Sequence, residues 1–310
     1  MKGPISFDLE PLPPFRLDLT AWALRRRPDN VVDRWDGGTY RRVLVGEDGE
    51  PFEVAVTQSG PPDASHLCVS VTCEKSDEEI KRQVVPALGR LLGIHLSLDG
   101  FYRLVEGDDK LRLLADRFRG FKPPRFQTCF ETLANAMACQ QLTLTIGIRL
   151  LNRLVESYGP ALELEDGVFH GFPRPQDLAN VNIEEMRTMG FSYQKARYIT
   201  GLAQSILQGQ LDFGEIEPLD DQKAVDRLRS LKGVGRWTAE YFLLRGLGRT
   251  HIFPADDVGA RNNLQRWLGF SEALNFDGVH EVLKRWEGYG GLVYFHLLLE
   301  SLSEKAVMAN

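Results

Sequence analysis

Hydrophobic and polar positions alternate over Thr39–Val45 (TYRRVLV), Phe52–Thr57 (FEVAVT) and Leu67–Thr72 (LCVSVT), and all three runs are rich in β-branched residues. A period of two, with the turn-forming stretches GEDGEP and QSGPPD between the runs, predicts antiparallel strands. The period then lengthens. Over Glu78–Leu92 the apolar residues Ile80, Val84, Val85, Leu88, Leu91 and Leu92 fall at helical spacing behind Ser76-Asp77 as a capping region. From Gly120 onward strand signals nearly vanish and helical periods dominate, broken at Gly159-Pro160, Gly171–Pro175, Gly190 and the acidic stretch around Phe213–Asp221. The expected organisation is an α+β module over residues 1–118 ahead of an all-helical unit over residues 119–310.

One break carries chemistry. Leu231–Ala239 reads LKGVGRWTA, so Gly233 and Gly235 bracket Val234 and a helix-forming run follows at once. Glycines so spaced permit a tight turn with positive φ and close approach of backbone to a partner. Amides at the start of the following helix then face outward as an anion site. A plain helix–turn–helix connection has the same pattern. Asp257, twenty positions past Trp237, places an acid where a nucleotide sugar at such a hairpin could be reached.

The 310 residues suffice for two domains with a sizeable core, and 43% hydrophobic and 26% charged residues are ordinary for a globular protein. A net charge of −6 argues mildly against a nucleic-acid partner. Duplex binding needs only a local basic face, which Arg229, Lys232, Arg236, Arg245 and Arg249 could form around the hairpin. Cys68, Cys73, Cys129 and Cys139 show no metal-ligand spacing and no secretory context. No apolar leader follows Met1, and no run reaches the roughly 20 apolar residues of a membrane span. The expectation is a reduced cytoplasmic protein without a membrane partner, nucleoid-associated if bacterial.

LKGVGRWTAEYFLLRG followed by HIFPADDVGARNNL resembles the helix-hairpin-helix DNA glycosylase superfamily, and within it the 3-methyladenine DNA glycosylase II branch. Phe130–Gly159 and Phe172–Ile206 are similar to the same branch. The resemblance implies an N-terminal antiparallel-sheet module and a core of two helical subdomains with the active-site cleft between them. It points to Asp257 as the catalytic carboxylate, with Arg261 four positions on matching the branch, and leaves Asp256 as the helix cap or a structural acid. Such a carboxylate stabilises positive charge developing on the deoxyribose and orients water. Bifunctional relatives carry a lysine nucleophile where Trp237 stands here, so water is the expected nucleophile.

Trp237 and Tyr241, four apart on one helix face, are candidates to stack on a flipped base, and so is Tyr289 near the C-terminus. Each is also an ordinary core aromatic on spacing alone. Gln141 stands at the family's wedge position, with Leu142 as the alternative plug and an exposed helix end as the plain reading. Phosphate contacts fall to Gly233, Gly235, Lys232 and Arg236. The resemblance further implies a structural Na⁺ or K⁺ on the main-chain carbonyls of Arg229, Leu231 and Val234, with no catalytic cofactor. No cysteine follows Cys139, so the iron–sulfur cluster that some branches place after the catalytic acid cannot be built there. His296 reads as a satisfied packing histidine.

The resemblance, with Trp237 in place of the lysine, implies a monofunctional glycosylase that removes alkylated purines from damaged duplex DNA, and a monomer is expected. Hypoxanthine or uracil specificity, a lyase, and a non-catalytic DNA-binding module are the alternatives.

Overall fold

The computed structural model describes residues 5–73, 76–305 and 308. Strands β1 (Ile5–Leu9), β2 (Arg34–Trp35), β3 (Thr39–Val45), β4 (Pro51–Ser59) and β5 (His66–Thr72) form one antiparallel sheet in the order β1-β5-β4-β3-β2. Helices α1 (Leu17–Arg25) and α2 (Asp77–Leu92) cover one face of it. The alternating runs pair as expected, with Val54 opposite Val71 and Val56 opposite Val69, both pairs buried against Leu88 and Leu91 of α2. Ser76 caps α2 by accepting the Glu79 amide. The sequence pattern had not marked β1 or β2.

Helices α3 (Asp99–Val105), α4 (Asp109–Arg117), α5 (Cys129–Cys139) and α6 (Leu144–Tyr158) come next. A small hairpin of β6 (Ala161–Leu164) and β7 (Gly167–His170) then interrupts the helical half, a departure from the strand-free expectation. Four short or medium helices lead to the turn: α7 (Pro175–Leu178), α8 (Ile183–Thr188), α9 (Tyr193–Leu207) and α10 (Asp221–Arg229). The chain ends with α11 (Arg236–Arg245), α12 (Val258–Leu268), α13 (Phe276–Leu283) and α14 (Gly290–Glu304).

Three large apolar cores divide the described residues, with a small fourth cluster of Phe126, Ala136 and Tyr241 against which Trp237 packs, and they do not follow the boundary at residue 118. One fills the space between the sheet, α1 and α2. A second gathers α5, α6, α9, α10 and α11 through Leu133, Leu151, Ile199, Leu228 and Phe242. The third joins Leu19 and Trp22 of α1, Phe101, Leu111, Phe118 and Phe121, and the C-terminal Leu264, Trp286, Phe295 and Leu299. Helices α3 and α4 therefore bury their apolar face against α14, not against the sheet. Helical spacing shows which face is apolar but not which core it faces.

A buried ion network ties the sheet to α5. Arg42 of β3 donates to Asp33 at 2.8 Å and to both oxygens of Glu131 at 2.7 Å, and the Tyr40 hydroxyl donates to Asp33 at 2.8 Å. Burial holds the Glu131 carboxyl above its usual range despite this cation. Removing any one member would leave the others charged and dry, which is the costly way to break such a pair. Among the described residues no helix is long and apolar enough to cross a membrane.

Candidate active site and nucleic-acid interface

The turn from Ser230 to Gly235 joins α10 to α11 and has the shape that its glycines require. Gly233 sits at φ +85°, and a Cβ there would penetrate the ring of Tyr198. Gly235 precedes α11 at φ −88° with nothing within 4 Å of the place its Cβ would take. No side chain caps α11, so its first amides stay available at the exposed tip. Gln140 braces the turn from behind, its amide donating to the Gly233 carbonyl at 2.8 Å and to the Thr238 hydroxyl at 2.7 Å. The Leu231 carbonyl accepts the Val234 amide at 3.2 Å, whereas the carbonyls of Arg229 and Val234 receive no backbone hydrogen bond within the turn.

Asp257 lies at the entrance to α12 and is held at both oxygens. Its Oδ1 accepts the Ala260 amide at 2.9 Å, and its Oδ2 accepts the Trp237 indole N–H at 3.0 Å. The helix cap is thus Asp257 itself, a correction to the expectation that Asp256 fills that role. The reason is position: the N-cap is the residue directly before Val258, and its oxygen reaches the third amide of the helix. Asp256 instead approaches Arg236 at 4.0 Å. Each Asp257 oxygen keeps a lone pair for a further donor.

Helix α11 grips the loop that carries this acid at a second point. Glu240 accepts the Ala255 amide at 3.1 Å. Burial, and then the neighbouring Asp256, push the Glu240 carboxyl up to about 7. On the same helix Trp237 and Tyr241 lie 5.4 Å apart at 32°, with Phe126 beneath Tyr241 at 6.3 Å. Tyr294 of α14 completes this group. Burial raises its hydroxyl well above the ordinary tyrosine value, with a further push from Asp257. Spacing along the sequence carried no sign of Tyr294, because only the folding of α14 onto α11 and α12 brings it here.

Tyr289 is placed elsewhere. It precedes α14, packs on Phe101 at 5.9 Å and reaches Gly100, and it makes no ring contact with Trp237 or Tyr241. The tight seating of Gly290 and Gly291 against the carbonyls of His251, Thr250 and Ile252 sets that position. His296 is a packing residue among Phe101, Phe118 and Phe121, with one nitrogen on the Leu292 carbonyl at 2.7 Å and the other unpartnered, and burial lowers it to about 4.

The basic face also changes membership. Arg229, Lys232 and Arg236 are exposed around the turn, although Arg236 lies over the Phe276 ring at 4.4 Å. Arg245 is buried inside, and Arg249 is spent on Asp221 at 2.6 Å and on two carbonyls. Arg245 falls on the inward face of α11, which alternation of polar and apolar residues did not reveal. Gln141 and Leu142 are exposed at the tip between α5 and α6. Gln141 takes φ +55°, a left-handed backbone that non-glycine residues seldom adopt.

A family model for the HhH-GPD superfamily of base excision DNA repair proteins matches residues 134–289, about half the chain and the whole of the turn and its acid. The chain belongs to this superfamily. Among HhH-GPD relatives it is similar to DNA-3-methyladenine glycosylase 2 of Escherichia coli (strain K12), at 28% identity over 286 residues covering 92% of this chain and 94% of that protein. It is also similar to DNA-3-methyladenine glycosylase 1 of Schizosaccharomyces pombe, at 30% identity over 60% of this chain and 75% of that protein. A solved structure of the 3-methyladenine DNA glycosylase from Archaeoglobus fulgidus superposes with a TM-score of 0.81 at 27% identity, covering 95% of this HhH-GPD chain and 98% of that one.

Proposed function

We propose that this chain is a monofunctional DNA glycosylase that flips alkylated purines out of duplex DNA and releases them by water attack at C1′. The observation that carries this reading is Asp257, a carboxylate fixed at both oxygens by Ala260 and Trp237 and set beside the Trp237–Tyr241 aromatic face. Fixed negative charge needs no reorganisation as the sugar becomes cationic, which is where electrostatic catalysis gains most. The position that would hold an amine nucleophile is an indole, so the carboxylate works with water. The relatives named above are called 3-methyladenine glycosylases, which supports an alkylated purine as the base.

The remaining roles follow from position and backbone, with Tyr241 only 4% exposed and the half-buried Trp237 packed against it. Electron-rich rings of Trp237 and Tyr241 stack on an electron-poor base. Gln141, exposed and in a left-handed conformation, fills the vacated stack with Leu142 beside it. Gly233, Gly235, Lys232 and Arg236 hold phosphates, and the carbonyls of Arg229, Leu231 and Val234 would hold a Na⁺ or K⁺ that neutralises them. The donor set fits a hard monovalent cation: neutral carbonyl oxygens at the negative end of α10, two of them free of backbone partners in the turn.

Base release from methylated duplex DNA tests the reading. The parent releases 3-methyladenine or 7-methylguanine and leaves an alkali-labile abasic site, and borohydride traps no covalent adduct. A trapped adduct would replace water with an amine, and salt-sensitive binding without release would leave only a DNA-binding module.

A further inference from the structure

Arg26 is the unexpected neighbour of this site. It follows α1 in a left-handed conformation at φ +58°, unusual for a residue with a side chain, and it is only 6% exposed. From there the N-terminal module reaches across to α11 and α5. The Arg26 guanidinium donates to the Tyr241 hydroxyl oxygen at 3.3 Å and to Asn135 Oδ1 at 3.1 Å, and it lies 5.6 Å from the centre of the Phe126 ring. Arg245 lies 4.6 Å from the same ring and 6.0 Å from that of Tyr241. Among the described residues neither arginine forms an ion pair, and the Nε of each is buried without a partner. Two dry cations without a carboxylate are expensive to hold in place.

Their chemistry settles the state of one hydrogen atom. A guanidinium has donors only, so the Tyr241 oxygen must accept from Arg26 and cannot donate back. The hydroxyl hydrogen is therefore left for another acceptor, and it donates to none among the described residues. Positive charge behind the oxygen also polarises the O–H bond and strengthens it as a donor.

We propose that Tyr241 is a hydrogen-bond donor to the flipped base, held in that role by Arg26 as a positioning residue. The site then reads more than the flatness of a ring. It favours purine lesions whose facing edge keeps a lone pair, a carbonyl oxygen or an unalkylated ring nitrogen. This rests on the reading of Trp237 and Tyr241 as the base pocket.

The test uses free hypoxanthine and free 3-methyladenine titrated by calorimetry into the full chain bound to a duplex with an abasic site. Tyr241→Phe keeps the ring and loses the hydroxyl, so stacking alone predicts no change. The proposal predicts about five- to tenfold weaker binding of at least one base, the worth of one hydrogen bond. Arg26→Met gives a similar loss, the double variant gives no more than either single one, and Arg26→Lys recovers part of it. Parent-like affinity in Tyr241→Phe overturns the proposal, and so do losses that multiply in the double variant or a parent that binds neither base. Where Arg26→Met does not fold, Tyr241→Phe alone decides. Base binding needs no bond cleavage. A parent that binds bases through Tyr241 yet releases none from DNA keeps this inference and loses the proposed function.

Discussion

Asp257 does two jobs with two oxygens, and substitution can separate them. Asp257→Asn leaves one oxygen, which serves the Ala260 amide or the Trp237 indole but not both. Losing one charge-assisted hydrogen bond at a half-exposed site costs about 1.5 kcal/mol, the low end for such bonds. Asp257→Ala removes the cap as well, about 1 kcal/mol more. At roughly 2–4 °C per kcal/mol for a chain of this size, the unfolding midpoint falls by about 3–6 °C for Asn and about 5–10 °C for Ala. Both variants stay folded at 25 °C. Activity responds on another scale, because in the proposed mechanism the lost charge faces the sugar: release of methylated bases falls on the order of 10²–10³-fold or more in both. Asp256→Asn is the control. Its contact with Arg236 is a loose 4.0 Å pair, so it shifts stability by at most about 0.5 kcal/mol and leaves release intact. The assay is single-turnover base release beside a thermal melt. An Asp257→Asn variant that releases bases within threefold of the parent would refute the reasoning, and so would an Asp256→Asn variant that is the inactive one.

The two glycines of the turn should part company. Gly233→Ala meets both the Tyr198 ring and a backbone at φ +85°, and lowers the melting temperature together with DNA affinity, with strain alone at about 1–2 kcal/mol. Gly235→Ala leaves the melt unchanged but weakens DNA binding in a fluorescence titration, since its Cβ points into space a phosphate would fill. Glu240→Gln keeps an acceptor for Ala255 and removes a carboxyl raised to about 7. A folded-state value above the unfolded one makes ionisation cost stability, so the variant gains up to about 1 kcal/mol over the parent at pH 8 in urea titrations, and the gain shrinks at pH 5. His296 runs the other way. With its folded-state value lowered to about 4, the unfolded chain takes up a proton first, and stability is lost as pH falls from about 6.5 to about 4, on the order of 3 kcal/mol in all. His296→Leu flattens that slope in urea titrations at stepped pH, and an unchanged slope would clear His296 of the effect.

What could be read along the chain was whatever a few neighbouring residues decide. The period-two runs at Thr39 and Leu67, the capped helix after Ser76 and the glycine turn before Trp237 all depend on local backbone sterics and on alternation, and the structure has each of them. The site was half legible for the same reason. Asp257 and Trp237 stand in a recognisable stretch, but their hydrogen bond, and the cap that Asp257 provides, depend on how α12 leaves its loop. Arg26, Arg245 and Tyr294 were beyond reach. An arginine at the end of a helix reads as a surface cation until α1 and α11 pack around it, and Tyr294 reads as one more apolar position of α14. Helices α3 and α4 show the same limit at the scale of a domain, since their periodicity does not name the partner they lie against.

That third core bears on how the chain is made. Its pieces run from Leu19 through Phe101 and Phe121 to Leu299, so the ribosome delivers the first half long before the last helix emerges. The sheet and its two helices hold enough of their own contacts to close early. Phe101, Phe118 and Phe121 must wait, apolar and uncovered, for α14. A nascent chain stalled after α12 would therefore expose a sticky face next to an acid-bearing loop that nothing yet anchors from the α14 side. The proposed activity arrives only once α14 has been made, and a product truncated before it should reach the cell's chaperones before it reaches DNA.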